Sequence, residues 1–184
     1  MLVQHRLALS FATAHVQEPI TWEMTQRFKR LMFNVTSVNV GIHEADMRLA
    51  LVGEAREVRL AKDYLKDLGV KIKTLSSRQY QGKLPTVPAE LPPKDPEARR
   101  VERTLWLTIV RNQRREPMLW TLGRRFDIGY KIGHSATGEA MAIISLIVWG
   151  PEEEVERAVG YLRECGICVE YGEAGVSAPF APLD

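Results

Sequence analysis

The sequence is poor in the residues that most chemistry requires. It holds two cysteines and four histidines in 184 residues, too few for a disulfide framework, and such sparing cysteine use suits a reducing cytoplasm. No apolar run nears the roughly 20 residues that cross a bilayer. The stretch Ala140–Trp149 falls far short, and Leu7–Ala12 is shorter than the apolar core of a signal peptide. Neither sign of charge dominates, since 25 Lys and Arg against 23 Asp and Glu leave +2. That balance does not call for a nucleic acid or another polyanion. No His-Asp-Ser, His-Cys or paired-carboxylate arrangement offers a catalytic rationale, so no enzyme is expected. Gly82-Lys83 lacks the earlier glycine and the following Ser or Thr of a phosphate loop.

What the chain does have is itself, twice. Leu7, Leu9, Glu18, Pro19, Trp22, Arg27 and Phe28 recur, 98 residues later, as Leu105, Leu107, Glu116, Pro117, Trp120, Arg125 and Phe126. After one deletion the offset is 97, and Leu49, Gly53, Glu57, Val58, Tyr64 and Gly69 meet Leu146, Gly150, Glu154, Val155, Tyr161 and Gly166. The period exceeds the roughly 20–50 residues of solenoid repeats. Each copy is therefore a small domain. Modules of this size bury only about 60% of their unfolded surface, so mutual packing or dimerisation is expected.

Each copy opens with alternation: Leu7, Leu9 and Phe11 on one strand face, and Leu105, Leu107 and Ile109 on its twin. Glu-Pro at 18–19 and 116–117 then starts a helix, because proline fits the first turn and glutamate its positive end. These helices are expected to run to about 31 and 128. Strands follow at Val35–Ile42 and Met47–Val52, with twins at Ile132–Thr137 and Ile143–Trp149. A second helix spans Glu54–Leu68, or Pro151–Cys165. Gly69 and Gly166 sit where a left-handed cap is wanted, and a last strand is Val70–Leu75 or Ile167–Tyr171. The order β-α-β-β-α-β is the ferredoxin-like pattern. The expected fold class is α+β: tandem ferredoxin-like modules with antiparallel sheets, packed as a pseudo-dimer. The expected division is 1–76 and 103–173, joined by a proline-rich linker at 77–102 and followed by a flexible tail at 174–184.

The sheet face away from the helices differs between copies. The second carries Trp106, Val110, Ile147 and Trp149 where the first has Ala8, Ala12, Ala50 and Val52. Exposed apolar patches of that kind mark interfaces. The expectation is that these faces meet, either within the chain, with bulk from one copy filling space in the other, or between two chains. Trp22 and Trp120 lie off the buried stripes of their helices, and either pack on the linker or partner copy or line a ligand pocket.

Cys165 and Cys168 have metal-like spacing but stand at a helix C-terminus, where the dipole disfavours thiolate. They read as inert, and no metal or cofactor is expected. Arg111, Arg114, Arg115, Arg124 and Arg125 read as solvated surface, with an anion site at the helix start as the sharper alternative. The RNP1 pattern of RNA-binding sheets is missing, so nucleic acid is not an expected partner.

Taken in order, the strand, Glu-Pro-Ile, Arg-Phe, Asn34-Val35-Thr36, Gly-Glu and Tyr-Leu-x-x-x-Gly-Val resemble the NIL domain, and do so in both copies. The resemblance implies a ferredoxin-like fold related to amino-acid-sensing ACT domains. It also implies the regulatory role NIL domains have in methionine-import ATPases, or beside iron–sulfur domains in sulfur metabolism. It places a ligand at the motif asparagine and a residue six positions on: Asn34 and Val40, with Lys131 and Thr137 in the second copy, where the motif departs to Lys131-Ile132-Gly133. The implied function is non-enzymatic binding of methionine or a related sulfur compound at an inter-module cleft. The alternative is a ligand-free assembly module that self-associates through sheet faces or joins a protein partner.

Overall fold

The computed structural model describes residues 1–16, 18–86, 95–110 and 117–172. The first module runs β1 (Leu2–Ala12), α1 (Thr13–Val16), α2 (Ile20–Arg27), β2 (Met32–Val40), β3 (Glu44–Glu54), α3 (Ala55–Asp67) and β4 (Lys71–Gln79). The second runs β5 (Arg100–Val110), α4 (Met118–Arg125), β6 (Gly129–Thr137), β7 (Met141–Pro151), α5 (Glu152–Glu164) and β8 (Cys168–Gly172). Two four-stranded sheets result, ordered β2-β3-β1-β4 and β6-β7-β5-β8, with antiparallel neighbours throughout. This is the expected pair of ferredoxin-like modules.

Alternation decides which sheet face is covered. Leu7, Leu9 and Phe11 of β1 are buried with Val58, Ala61 and Leu65 of α3, and Leu105, Leu107 and Ile109 with Val155, Ala158 and Leu162 of α5. Burial of one such side chain contributes about 1.5–3 kcal/mol. The long helices end as their glycines require. Gly69 and Gly166 take φ of 84° and 82°. Their amides reach Lys66 O and Arg163 O at 2.9 Å, and the next amides reach Leu65 O and Leu162 O at 3.1 Å. That is the Schellman pattern, and a β-carbon at either glycine would strain it.

Several boundaries differ from the sequence reading, among them that β2 starts at Met32 and β3 spans Glu44–Glu54. The first helix of each copy stops at Arg27 and Arg125, short of the expected 31 and 128. Leu31 and Ile128 are instead non-helical, with carbonyls that accept bonds from the opposite module. The last strand of the first module continues to Gln79, into the stretch expected as linker. It is held by Arg78 Nε to Gln4 Oε1 at 2.6 Å and by Ser77 against His5 at 3.0 Å. β5 likewise starts at Arg100. The linker core at 87–94, the tail from 173, and Arg111, Arg114 and Arg115 lie outside the described residues.

The largest correction concerns how the modules meet. Their sheets do not stack face to face; β2 lies beside β6, and α2 beside α4. Much of the bulk of the second sheet is accommodated within its own module, although Trp149 also reaches Trp22 of the first. Trp149 lies over Gly129 of the neighbouring strand, where a β-carbon would stand 2.2 Å from the indole. Trp106 lies against Gly172 on one side and stacks on the His134 ring at 6.3 Å on the other. In the first module the pair matching Gly129 and Trp149 is Met32 and Val52. The exchange of large and small is between neighbouring strands of one sheet, because cross-strand side chains, about 5 Å apart, compete for one volume.

Candidate functional site

The seam is a pseudo-twofold contact between matching residues, the signature of an isologous interface. Helices α2 and α4 cross where Thr25 faces Gly123, its counterpart in the second copy. A β-carbon on Gly123 would come 2.2 Å from Thr25 Oγ1. Gln26 Nε2 donates to Gly123 O at 2.8 Å. Trp22 Nε1 donates to Ile128 O at 2.8 Å, and Trp120 Nε1 to Leu31 O at 2.7 Å. The Trp22 ring also meets Trp149 edge to face, with centroids 5.9 Å apart. Both helix tryptophans thus bond across to the other module.

Between the strand edges, side chains replace a backbone ladder. Val38 is fully buried, and its two backbone groups are served from the other module. Its amide donates to Thr137 Oγ1 at 3.1 Å, while its carbonyl accepts from Ser135 Oγ at 2.7 Å and Thr137 Oγ1 at 3.0 Å. Thr137 N donates to Asn39 Oδ1 at 2.9 Å.

Two small cavities flank this contact at matching places. One is bounded by β2 residues Asn34–Val38 of the first module and by Ile109, Met118, Ile144 and Thr137 of the second, with a volume of about 30 Å³. Its twin is bounded by Phe11, Ile20, Met24 and Met47 together with Ile132 of β6, with a volume of about 20 Å³. Each is roomy enough for a water, since roughly 10–15 Å³ suffices for one, and far below the roughly 300 Å³ of a ligand pocket. Beneath the seam, Tyr130 is fully buried and donates to Leu119 O at 2.8 Å. Burial raises its phenol pKa well above the ordinary range.

Asn34 and Thr137, assigned from different copies, border the same cavity. Val40 does not: it is half-buried at the end of β2, opposite Ala45. Lys131 is half-buried on the outer face opposite Ile147, and the twin cavity is bordered by its neighbour Ile132 instead. On that outer face Trp106 is buried, Trp149 and Ile147 are half-buried, and Val110 is 43% exposed. Sequence reasoning missed Thr25, Gly123 and Ser135. Gly123 did carry a signal, because glycine inside a helix is unfavourable by about 1 kcal/mol unless something needs the space.

Cys165 is half-buried and Cys168 exposed. Among the described residues no group of three or more His, Cys, Asp or Glu is placed to hold a metal, and no helix is long and apolar enough to cross a membrane.

No family model and no curated protein matches the chain. Solved structures do. One, described as a glycine cleavage system transcriptional repressor, is 7% identical over 94% of this chain and 97% of its own, with a TM-score of 0.33. An unknown protein from Galdieria sulphuraria is 12% identical over 93% and 98%, with a TM-score of 0.30. A third, from Bacteroides thetaiotaomicron, is 12% identical over 92% of each chain, with a TM-score of 0.24. Likenesses this distant carry no argument about function.

Proposed function

We propose that the chain is a non-enzymatic, cytoplasmic regulatory protein whose inter-module seam binds a small amino-acid-type ligand, methionine or a related sulfur compound. The observation that carries this reading is the joint placement of Asn34 and Thr137 at one seam cavity. The Thr137 hydroxyl, once released from Val38, and the Asn34 amide suit a ligand's polar end, and Ile109, Met118 and Ile144 suit an apolar side chain. At about 30 Å³ the cavity admits no amino acid as it stands, so binding must part the modules. A ligand shifts a conformation only by its differential affinity for the two states, and a seam that opens to bind supplies that difference. The choice of methionine rests on the NIL resemblance alone.

Thermal melting of the chain with a panel of amino acids tests this. A ligand at 100 times its dissociation constant adds about 2.7 kcal/mol, a rise of several degrees for domains of this size. The indole pair Trp22–Trp149 should report the opening as a fluorescence change. The expected result is a shift with methionine that Asn34→Ala abolishes. A shift surviving that substitution moves the site elsewhere, and no shift with any amino acid sinks the reading.

A second reading has its own observation. Val110 and Met141 face each other across β5 and β7, 43% and 48% exposed, and continue the apolar outer face of Ile143 and Ile147. Such a patch fits self-association or a protein partner, as in an assembly module of sulfur or iron–sulfur metabolism. Concentration-dependent sedimentation that Val110→Glu abolishes would favour it.

A further inference from the structure

The duplication supplies an internal control for one place in the fold. On the outer face of the second sheet, the centre is filled: Trp106 is only 7% exposed, with Ser145 beside it on β7 and Glu170 beside it on β8. The matching positions in the first sheet are Ala8, Arg48 and Lys73. There the centre is empty, and a groove of about 820 Å³ runs over Ala8 and Ser10. Its far wall comes from the other module, where the β6–β7 turn places Thr137, Gly138 and Glu139.

The charge of the groove follows from register. Ala8 lies between Arg48 on β3 and Lys73 on β4, and Ser10 between Asp46 and Lys71. Adjacent strands are about 4.8 Å apart, so the Arg48 and Lys73 stems rise about 10 Å from each other, across the small floor, and their charged ends can close on one group. Arg48, Lys71 and Lys73 are exposed, and none forms an ion pair among the described residues. Asp46 stands among the three cations at the floor, and Glu139 adds a second carboxylate from the far wall. The second module has Ser145, Cys168 and Glu170 where these cations stand. One copy fills the space with its own indole and removes the positive charge; the other leaves the space open and surrounds it with guanidinium and ammonium groups.

We infer that this groove binds a small organic phosphate, its body seated over Ala8 and Ser10 and its phosphate held by Arg48, Lys71 and Lys73. Arginine meets phosphate oxygens through two parallel N–H bonds, and lysine adds point charge. A phosphate monoester carries about −1.5 to −2 at neutral pH, and the three cations outnumber the two carboxylates, Asp46 and Glu139, of the lining. The volume lies within the roughly 300–1,000 Å³ range of small-molecule sites. Asn39 and Ser37 on the seam side offer hydrogen bonds to the uncharged part of the ligand. The groove adjoins the seam cavity, since Ser37 and Thr137 line both, but Arg48, Lys71 and Lys73 line the groove and not the cavity.

The test is calorimetric titration of the full chain with inorganic phosphate, pyrophosphate and AMP at constant ionic strength. Saturable binding is expected, tighter for AMP than for inorganic phosphate. Lys73→Gln and Arg48→Gln should each weaken it about tenfold or more, because hydrogen bonds to charged groups are the strong ones. Both residues are exposed, so these variants keep the fold. Ala8→Trp, which copies the second module, should abolish binding with the charges retained, provided its circular dichroism melt matches the parent. Absence of saturable binding by all three probes overturns the inference. So does binding that Lys73→Gln and Arg48→Gln leave unchanged. Equal affinity for inorganic phosphate and AMP overturns the organic body of the ligand.

Discussion

Trp22 and Trp120 occupy matching helix positions, and each donates its indole N–H to the carbonyl that precedes the other module's edge strand, at 2.8 and 2.7 Å. The two bonds are pseudo-symmetric and cross one seam in opposite directions. Their carbonyls belong to Leu31 and Ile128, themselves a matched and buried pair. Neither carbonyl has a place in a helix or ladder of its own, so the indoles complete what each isolated module lacks.

Replacing a donor tests that dependence. Trp120→Phe removes a buried bond and part of a large side chain, and should cost about 2–4 kcal/mol. Trp22 is half-buried, and Trp22→Phe should cost about 1–2 kcal/mol. Urea denaturation measures both, and because the residues share one seam the double variant should depart from additivity. Equal, negligible losses would show that the indoles do not hold the modules together.

Gly123→Ala distinguishes close packing from helix propensity. In an exposed helix that change gains up to about 1 kcal/mol. Here the new carbon would meet Thr25 Oγ1, Cγ2 and Cβ at 2.2, 2.7 and 2.8 Å, and overpacking costs about 1–3 kcal/mol. The clash should win and lower the melting temperature. Thr25→Gly removes all three atoms, so the double variant should recover part of the gap.

Thr137→Val keeps the shape of the side chain and deletes its hydroxyl. The buried Val38 amide then loses its acceptor, a loss of about 1–3 kcal/mol. Hydrogen exchange at the Val38 amide should quicken relative to amides within β3. Exchange as slow as in the parent would show that the hydroxyl does not close the seam.

Alkaline pH should loosen the first module through Tyr64. Its hydroxyl donates to Glu23 Oε2 at 2.8 Å. Burial first, and then the Glu23 carboxylate, push its pKa from 10.0 up to about 12. A phenol whose folded pKa exceeds its unfolded value contributes stability that is complete below pH 10 and lost as pH rises through about 12. The denaturation midpoint should fall over that window, and Tyr64→Phe should flatten part of the fall. An unaltered slope would assign the effect to other groups, the buried Tyr130 first among them.

Period-two and helical patterns carried the strands and helices because each element buries one face, and burial is written residue by residue. Gly69 and Gly166 were legible for the same local reason: a left-handed turn needs no partner from afar. Asn34 and Thr137 were named only through a resemblance, and nothing in their spacing places them at one cavity. The small residue at the groove floor, Ala8 against Trp106, was legible, but the cations around it were not. They come from β3 and β4, which meet only when β1 lies between them.

Sequence alone determined that the chain is two copies of one α+β unit, since repetition, alternation and turn residues are properties of neighbouring positions. Only the tertiary structure decided that the copies join by edge and helix and not by their outer faces. The apolar bulk of Trp106 and Trp149 suggested the faces, but Gly172 and Gly129 on adjacent strands had already made room for it. What the edges needed instead was hydrogen-bond partners for Val38, Leu31 and Ile128, and no pattern within one copy states which groups of the other will supply them.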